Sequence, residues 1–283
     1  MESNQNGESR RRVILYRGLI HTPELQSDSF SPFFNYGVGF FETILYEKGI
    51  LQYFNEHLER MKKTCTDFSI NLNYDEISEK ILHNLLKETG LKNHICRLKI
   101  LYAPIQDSSR WDTVVTAAPY TRPAGDFTLS VHNEVYDSYL NRYKSNNYQY
   151  NLYWKDFYKK RDNSDEVMLC NKEGNILEGS YTNILYFKDG TLYYVDKSNN
   201  YLQGIMQDRI LIEAEQINEL KIQSLKDGIE INQLKQADEV MICNSLMTIQ
   251  NVRKINFGDI VFKWPSSPQS NYLAAKIRKK LCF

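Results

Sequence analysis

The 283-residue chain has no surplus of charge of either sign: 35 lysines and arginines balance 35 aspartates and glutamates. That balance removes the usual electrostatic basis for nucleic acid or an anionic membrane surface as a partner. Cysteine is scarce, with five residues and no Cys-x-x-Cys pair. A disulfide framework is therefore not indicated, no metal site is expected, and the usage suits a reducing, cytoplasmic setting. Apolar runs are short, and none approaches the roughly 20 residues of a membrane span. The basic cluster Arg10, Arg11 and Arg12 precedes only Val13 to Tyr16 before Arg17, which is not the pattern of a signal peptide. What is plentiful is length, enough for one large or two ordinary domains with a sizeable core. There are also 20 tyrosines, read here as packing and interface material.

In chain order, residues 1–9 are polar, and residues 13–16, Gly18 and residues 19–20 suggest an opening hairpin. Gly37 and Gly39 would permit close backbone approach at a turn before a strand over 41–46. Asn55 is placed as the N-cap of a helix with Leu58, Met61, Cys65 and Phe68 inward and Arg60 off the stripe. A second helix over 76–88 buries Ile77, Ile81, Leu82, Leu85 and Leu86 and stops at Gly90. The strand 95–102 alternates, which puts Arg97 and Lys99 on one face. Either this face or Arg110, in a polar loop over 107–111, could meet a carboxylate. A strand over 113–118 follows. Residues 119–125, with two prolines and a glycine, form the expected linker between a small N-terminal domain (1–118) and a larger C-terminal one (126–283).

The second half opens on a strand over 127–132 and centres on residues 142–183. Tyr150, Trp154, Phe157 and Tyr158 recur at helical spacing, so the spacing predicts a helix from about residue 147, with Lys144 just before it. A strand over 166–170, a turn at 172–175 and a second strand carrying Glu178 read as a hairpin. Asp189-Gly190 is a strong two-residue turn signal between strands over 184–187 and 191–195. Leu202-Gln203-Gly204-Ile205-Met206 opens a helix with Ile210, Leu211, Ala214 and Ile217 at helical spacing. Residues 239–247 run as a strand into a polar turn. A helix over 269–281 ends in Lys276, Arg278, Lys279 and Lys280, which suits its dipole.

Seven of these features, in order, resemble the class IV (fold-type IV) pyridoxal-phosphate enzymes. They are Gly37-x-Gly39-x-Phe-Glu42, His57-x-x-Arg60, Lys144, Asp165-Glu166 at a strand start, Glu178-Gly-Ser-x-x-Asn183, Leu202-x-Gly204-Ile205 and Asn244-Ser245-Leu246. The resemblance implies a two-domain α/β fold, a small α/β domain plus a larger one with a β-barrel-like core. It implies pyridoxal 5′-phosphate as cofactor, held covalently by Lys144, with Glu178 on its ring nitrogen. An amine can join the cofactor aldehyde, and a carboxylate beside the nitrogen keeps the ring electron-withdrawing. The phosphate would lie against Arg60, the Ile205 and Met206 amides and Ser245, and Asn183 completes the expected cofactor set. Two positions depart from the family pattern: Val38 stands where an aspartate is usual, and Gln207 where an arginine is usual, with Arg209 nearby.

The Asn-Ser-Leu segment at 244–246 is more similar to aminodeoxychorismate lyases than to the transaminases of the family. It implies elimination of pyruvate from 4-amino-4-deoxychorismate to give 4-aminobenzoate, with Lys144 as proton carrier and Glu42 at the position of a group proposed to protonate the leaving group. The small-molecule amino substrate would carry a carboxylate, and a homodimer is expected. A transaminase acting on branched-chain or D-amino acids shares every cofactor contact. Val38 and Gln207 leave open a catalytically silent binding protein.

Overall fold

The computed structural model describes residues 13–21, 28–106, 109–264, 275 and 279. Arg10 to Arg12, residues 107–108 of the polar loop and most of the helix expected over 269–281 lie outside the described residues. The described chain forms two compact units. One comprises the residues up to Arg122 together with Lys144–Asn147, and the other runs from Pro123 to Tyr143 and onward from Tyr148.

The first unit is built on strands β1 (Ile14–Tyr16), β2 (Leu19–His21), β3 (Phe40–Glu47), β4 (Ile50–Leu51), β5 (Cys96–Ala103) and β6 (Asp112–Pro119). They make one sheet in the order β2-β1-β6-β5-β3-β4. Its helices are α1 (Pro32–Tyr36), α2 (Phe54–Asp67) and α3 (Glu79–Glu88). Ser31 caps α1 by accepting from the Phe34 amide at 3.2 Å, with Pro32 at the first helical position, where a missing N–H costs nothing. Gly37 closes α1 in the left-handed region (φ 67°), a conformation that glycine adopts without penalty.

Helix α2 differs in phase from its sequence pattern. Its cap position is Tyr53, and its buried residues are Phe54, His57, Met61, Thr64 and Cys65, so His57 takes a place on the inward stripe that the pattern gives to Leu58. Burying an imidazole is costly unless a partner meets it; here Glu42 does. Helix α3 begins at Glu79 behind a Ser78 cap; of its expected first turn, Glu76 ends a separate 3-10 segment (Tyr74–Glu76), and Ile77 and Ser78 are extended.

The second unit contains β7 (Phe127–Val135), β8 (Glu166–Cys170), β9 (Ile176–Gly179), β10 (Asn183–Lys188), β11 (Thr191–Val195), β12 (Lys221–Leu225), β13 (Glu239–Asn244), β14 (Thr248–Phe257) and β15 (Ile260–Lys263). The sheet runs β12-β11-β10-β13-β14-β7-β8-β9, with β15 paired to β14, and curls into a half-barrel. Pairings β7/β8, β7/β14 and β11/β12 are parallel and the rest antiparallel. The helices are α4 (Gln149–Asp162), α5 (Ile205–Glu215) and α6 (Ile231–Lys235). The main core gathers Leu129, Met168, Ile184, Tyr186, Val240 and Ile242 among others. On α4 the expected aromatic stripe holds only in part: Tyr158 is buried and Phe157 exposed, and Asn151 is the other buried residue. At the β10–β11 turn Asp189 and Gly190 both take positive φ (48° and 73°), the backbone of a type I′ hairpin.

Candidate active site

In the first unit, alternation along β3 sends Glu42 toward α2 and Phe41 to the opposite face. Glu42 is 2 % exposed. One carboxylate oxygen accepts from Arg60 Nε (2.7 Å), and the other from Arg60 Nη2 (2.7 Å) and His57 Nδ1 (2.6 Å). His57 and Arg60 are three residues apart on α2 and so face the same way. Burial pushes the Glu42 carboxyl up, but the Arg60 guanidinium and then His57 overcome it and hold the group well below the usual carboxylate range. Burial pushes His57 down, against Glu42 and with the charges of Arg60 and Lys144. His57 is thus neutral at neutral pH. Since an ionised carboxylate only accepts, the ring proton sits on Nδ1. Among the described residues, His57 Nε2 is buried without a hydrogen-bond partner.

Lys144 belongs to this unit rather than to the C-terminal domain where the sequence reading puts it. Its backbone explains why: Phe41 N–H donates to Lys144 O (2.9 Å), Asn146 N–H donates to Gly39 O (2.7 Å), and Phe40 bridges to Ser145. A Cβ on Gly39 would come within 2.9 Å of Ala103 Cβ at the end of β5, so it is the close approach of the chain to β5 at this point that favours glycine. The Lys144 amine lies 4.7 Å from the centre of the Phe41 ring, and the Lys99 amine 4.4 Å from the same ring. Lys99 is held below its ordinary value by burial first and by Arg97 second. Arg110 is engaged elsewhere, with its guanidinium on Asp112 (3.1 Å) and Glu76 (3.6 Å). Val38 follows the α1 terminus, and its amide bonds to Pro32 O (3.3 Å).

In the second unit, Glu178 lies at the end of β9 with its side chain buried and accepts from the Leu202 amide (3.3 Å). Asn183 Nδ2 donates to the Leu202 carbonyl (2.9 Å). Leu202 is therefore pinned on both sides of its backbone just before α5. Gly204 caps α5 with no side chain, and a Cβ there would run into Asn183 Oδ1. The first turn of α5 thus opens on Ile205 and Met206 next to a glycine that the Asn183 side chain requires. Gln207 turns into the core: it is 1 % exposed and its Nε2 donates to the Tyr201 hydroxyl (2.9 Å), which itself donates to Val195 O (2.7 Å). Arg209 is half-buried. Ser245 sits half-buried in the turn after β13, where Asn244 Oδ1 accepts from the Leu246 (3.0 Å) and Met247 (2.9 Å) amides and Asn244 Nδ2 reaches Tyr181 O (3.2 Å). Asn183 lies opposite Cys243 in the β10/β13 register, which brings Asn183 to the start of the same turn.

Sequence reasoning gave no role to the group that orders the Glu178 loop. Glu166 is buried at the start of β8 and accepts from Val167 N (2.8 Å), Tyr181 N (3.2 Å), Thr182 Oγ1 (3.4 Å) and Ser180 Oγ, with Lys155 Nζ at 3.8 Å. The signal available was a glutamate opening an apolar strand, because an acid is fully buried only when its acceptors are filled. Asn151 adds a bond to Ser180 O (3.1 Å). Tyr136, whose phenol burial and then the Glu178 charge push up, also adjoins this region.

Residues 39–255 match the sequence profile of the family described as amino-transferase class IV. The chain belongs to the class IV aminotransferase family. Members of this family are pyridoxal-phosphate enzymes, lyases as well as aminotransferases. The chain is 27 % identical over 250 residues to an aminodeoxychorismate lyase of Bacillus subtilis, covering 81 % of this chain and 83 % of that one. It is 25 % identical over 234 residues to a D-alanine aminotransferase of Staphylococcus epidermidis, covering 78 % and 80 %. In fold it is similar to a branched-chain aminotransferase of the thermophilic archaeon Thermoproteus uzoniensis solved with norvaline, with a TM-score of 0.81 at 19 % identity over 95 % of this chain and 94 % of that one. Among the described residues of this class IV chain, no helix is long and apolar enough to cross a membrane.

Proposed function

We propose that the protein converts 4-amino-4-deoxychorismate to 4-aminobenzoate and pyruvate, with pyridoxal 5′-phosphate held by Lys144, Glu178, Asn183, Arg60, the Ile205 and Met206 amides and Ser245. These groups suit that cofactor chemically. Lys144 supplies an amine for an aldehyde, Glu178 a buried carboxylate for a ring nitrogen, and the first turn of α5, which starts behind Gly204, the Ile205 and Met206 amides for an anion. The observation that favours the lyase is the Asn244-Ser245-Leu246 turn, in which the Asn244 side chain accepts from the Leu246 and Met247 amides, together with the resemblance to the Bacillus subtilis lyase.

When bound, the cofactor supplies an electron sink conjugated to the substrate amine. The remaining work belongs to the chain. Lys144, uncharged while it acts, removes the proton from the ring carbon that bears the amine. The carbon–oxygen bond to the enolpyruvyl group then breaks, the six-membered ring becomes aromatic, and the departing enolate gains a proton to become pyruvate. One substrate gives two products, with no oxidant and no second substrate. Arg97 and Lys99, on one face of β5, offer cations to a substrate that carries two carboxylates. The chain would act as a cytoplasmic homodimer.

A branched-chain or D-amino-acid transaminase is the second reading, favoured by the similarity to the D-alanine aminotransferase. Release of pyruvate and 4-aminobenzoate in equal amounts without a 2-oxo acid supports the lyase. Turnover that appears only when a 2-oxo acid is added, and is then matched by formation of the corresponding amino acid, overturns it. Absence of both, in protein that is folded and given cofactor, points to the catalytically silent alternative raised by Val38 and Gln207.

A further inference from the structure

The Glu42 carboxylate takes three donors from α2 and is shut away from solvent. We propose that Glu42 and His57 are positioning residues that set the Arg60 guanidinium for the cofactor phosphate, and that Glu42 is not the proton donor of the elimination. This rests on the reading above, in which Arg60 meets the phosphate.

The geometry carries the inference in three steps. Arg60 presents its Nε–Nη2 edge to Glu42 as a two-point fork, which fixes the guanidinium plane as a single contact would not. The Nη1 edge is thereby directed away from Glu42. His57 donates Nδ1–H to the same oxygen that takes Arg60 Nη2, so the carboxylate is itself fixed from a second point on α2. A proton donor needs a proton to give, and a buried carboxylate already filled by two cationic N–H groups and an imidazole N–H does not hold one.

The sign of one substitution separates positioning from simple charge. Glu42→Gln removes a negative charge close to Arg60, so charge alone predicts tighter binding of a phosphate. It also turns an amide NH₂, a donor, toward one of the three donors that the carboxylate satisfied, so loss of positioning predicts weaker binding. The experiment titrates pyridoxal phosphate and the phosphate-free pyridoxal against the wild-type protein, Glu42→Gln, His57→Asn and His57→Leu, each checked for folding by circular dichroism and urea unfolding.

Positioning predicts that E42Q weakens pyridoxal phosphate by about tenfold or more, the scale of one charge-assisted contact, while pyridoxal changes little. H57N, whose amide can stand in for Nδ1–H, should retain most of the preference for the phosphate form, and H57L should lose part of it. A general structural defect would weaken both ligands alike and would overturn the proposal. So would tighter or unchanged binding of pyridoxal phosphate by E42Q, above all if turnover collapses with one limb of the pH profile, which is the result for a proton donor. If E42Q does not fold, H57L carries the test, since it keeps the Glu42–Arg60 pair and removes its second anchor; an unchanged preference for the phosphate form then refutes the proposal. Wild-type protein that binds neither ligand refutes the reading of the cofactor site itself, an outcome distinct from wild-type binding that the variants leave unaltered.

Discussion

Replacing Gly204 by alanine tests how the start of α5 is built. Gly204 has φ −84° and ψ 135°, which any residue adopts, so the backbone itself resists nothing. The whole penalty comes from the new Cβ, which meets Asn183 Oδ1 far inside contact distance. Asn183 must then swing away and give up its 2.9 Å bond to the Leu202 carbonyl. Overpacking of this kind costs about 1–3 kcal/mol, and stranding a part-buried carbonyl costs about 1–3 kcal/mol. Because the two costs share one cause, they do not add. Asn183→Ala alone frees the carbonyl and also clears the space. The double variant N183A/G204A should therefore be about as stable as N183A, with a coupling energy on the order of 1 kcal/mol or more in a double-mutant cycle. Urea unfolding without added cofactor reads stability, and titration with pyridoxal phosphate reads the consequence at the Ile205 and Met206 amides. G204A should lose stability and weaken the phosphate form more than pyridoxal. Strict additivity of the two substitutions would refute the argument.

Three other outcomes follow from the same contacts. Glu166→Gln leaves a buried amide facing Ser180, Tyr181 and Thr182, so it should destabilise by about 1–3 kcal/mol and weaken cofactor binding through the Glu178 loop, measured by urea unfolding and titration. Glu42 is held below its unfolded value, so the folded chain binds the proton less tightly than the unfolded one. Its contribution is complete above the unfolded value of about 4.3 and is lost as pH falls toward the folded one, and E42Q should show a shallower acid limb of stability against pH. His57 is likewise held down, by burial first. Its contribution is complete above about pH 6.5 and shrinks as the unfolded chain protonates below that, so H57N should flatten the slope between about pH 6.5 and 5; an unchanged slope would contradict a neutral His57.

The sequence showed most clearly those elements that local chemistry decides. Asp189-Gly190 demands its hairpin, Val167 to Cys170 form an apolar strand, and Ile205 to Ala214 keep helical spacing behind a glycine. Long-range pairing was not legible. Lys144 stands before a helix in sequence, yet its backbone pairs with Phe41 and places it in the first unit. Strand β12 joins β11 in parallel, and residues 221–225 alternate too weakly to announce it. The polar β14, between β13 and β7, gives little periodic signal of its own. For the candidate site, residue types were readable from motif order, whereas their partners were not. His57 on the buried stripe, Gln207 turned to Tyr201 and Glu166 beneath residues 180–182 are each settled by contacts more than a helical turn away in sequence or by a neighbour on another element.

The most direct test of the account is the lysine. The purified protein is incubated with pyridoxal phosphate near neutral pH, treated with borohydride and digested, and the modified peptide is located by mass spectrometry. The account predicts a visible band that borohydride removes and a single pyridoxyl-phosphate mass on Lys144, both missing from Lys144→Ala. No band with excess cofactor, or a label spread over other lysines while Lys144 stays unmodified, would contradict it.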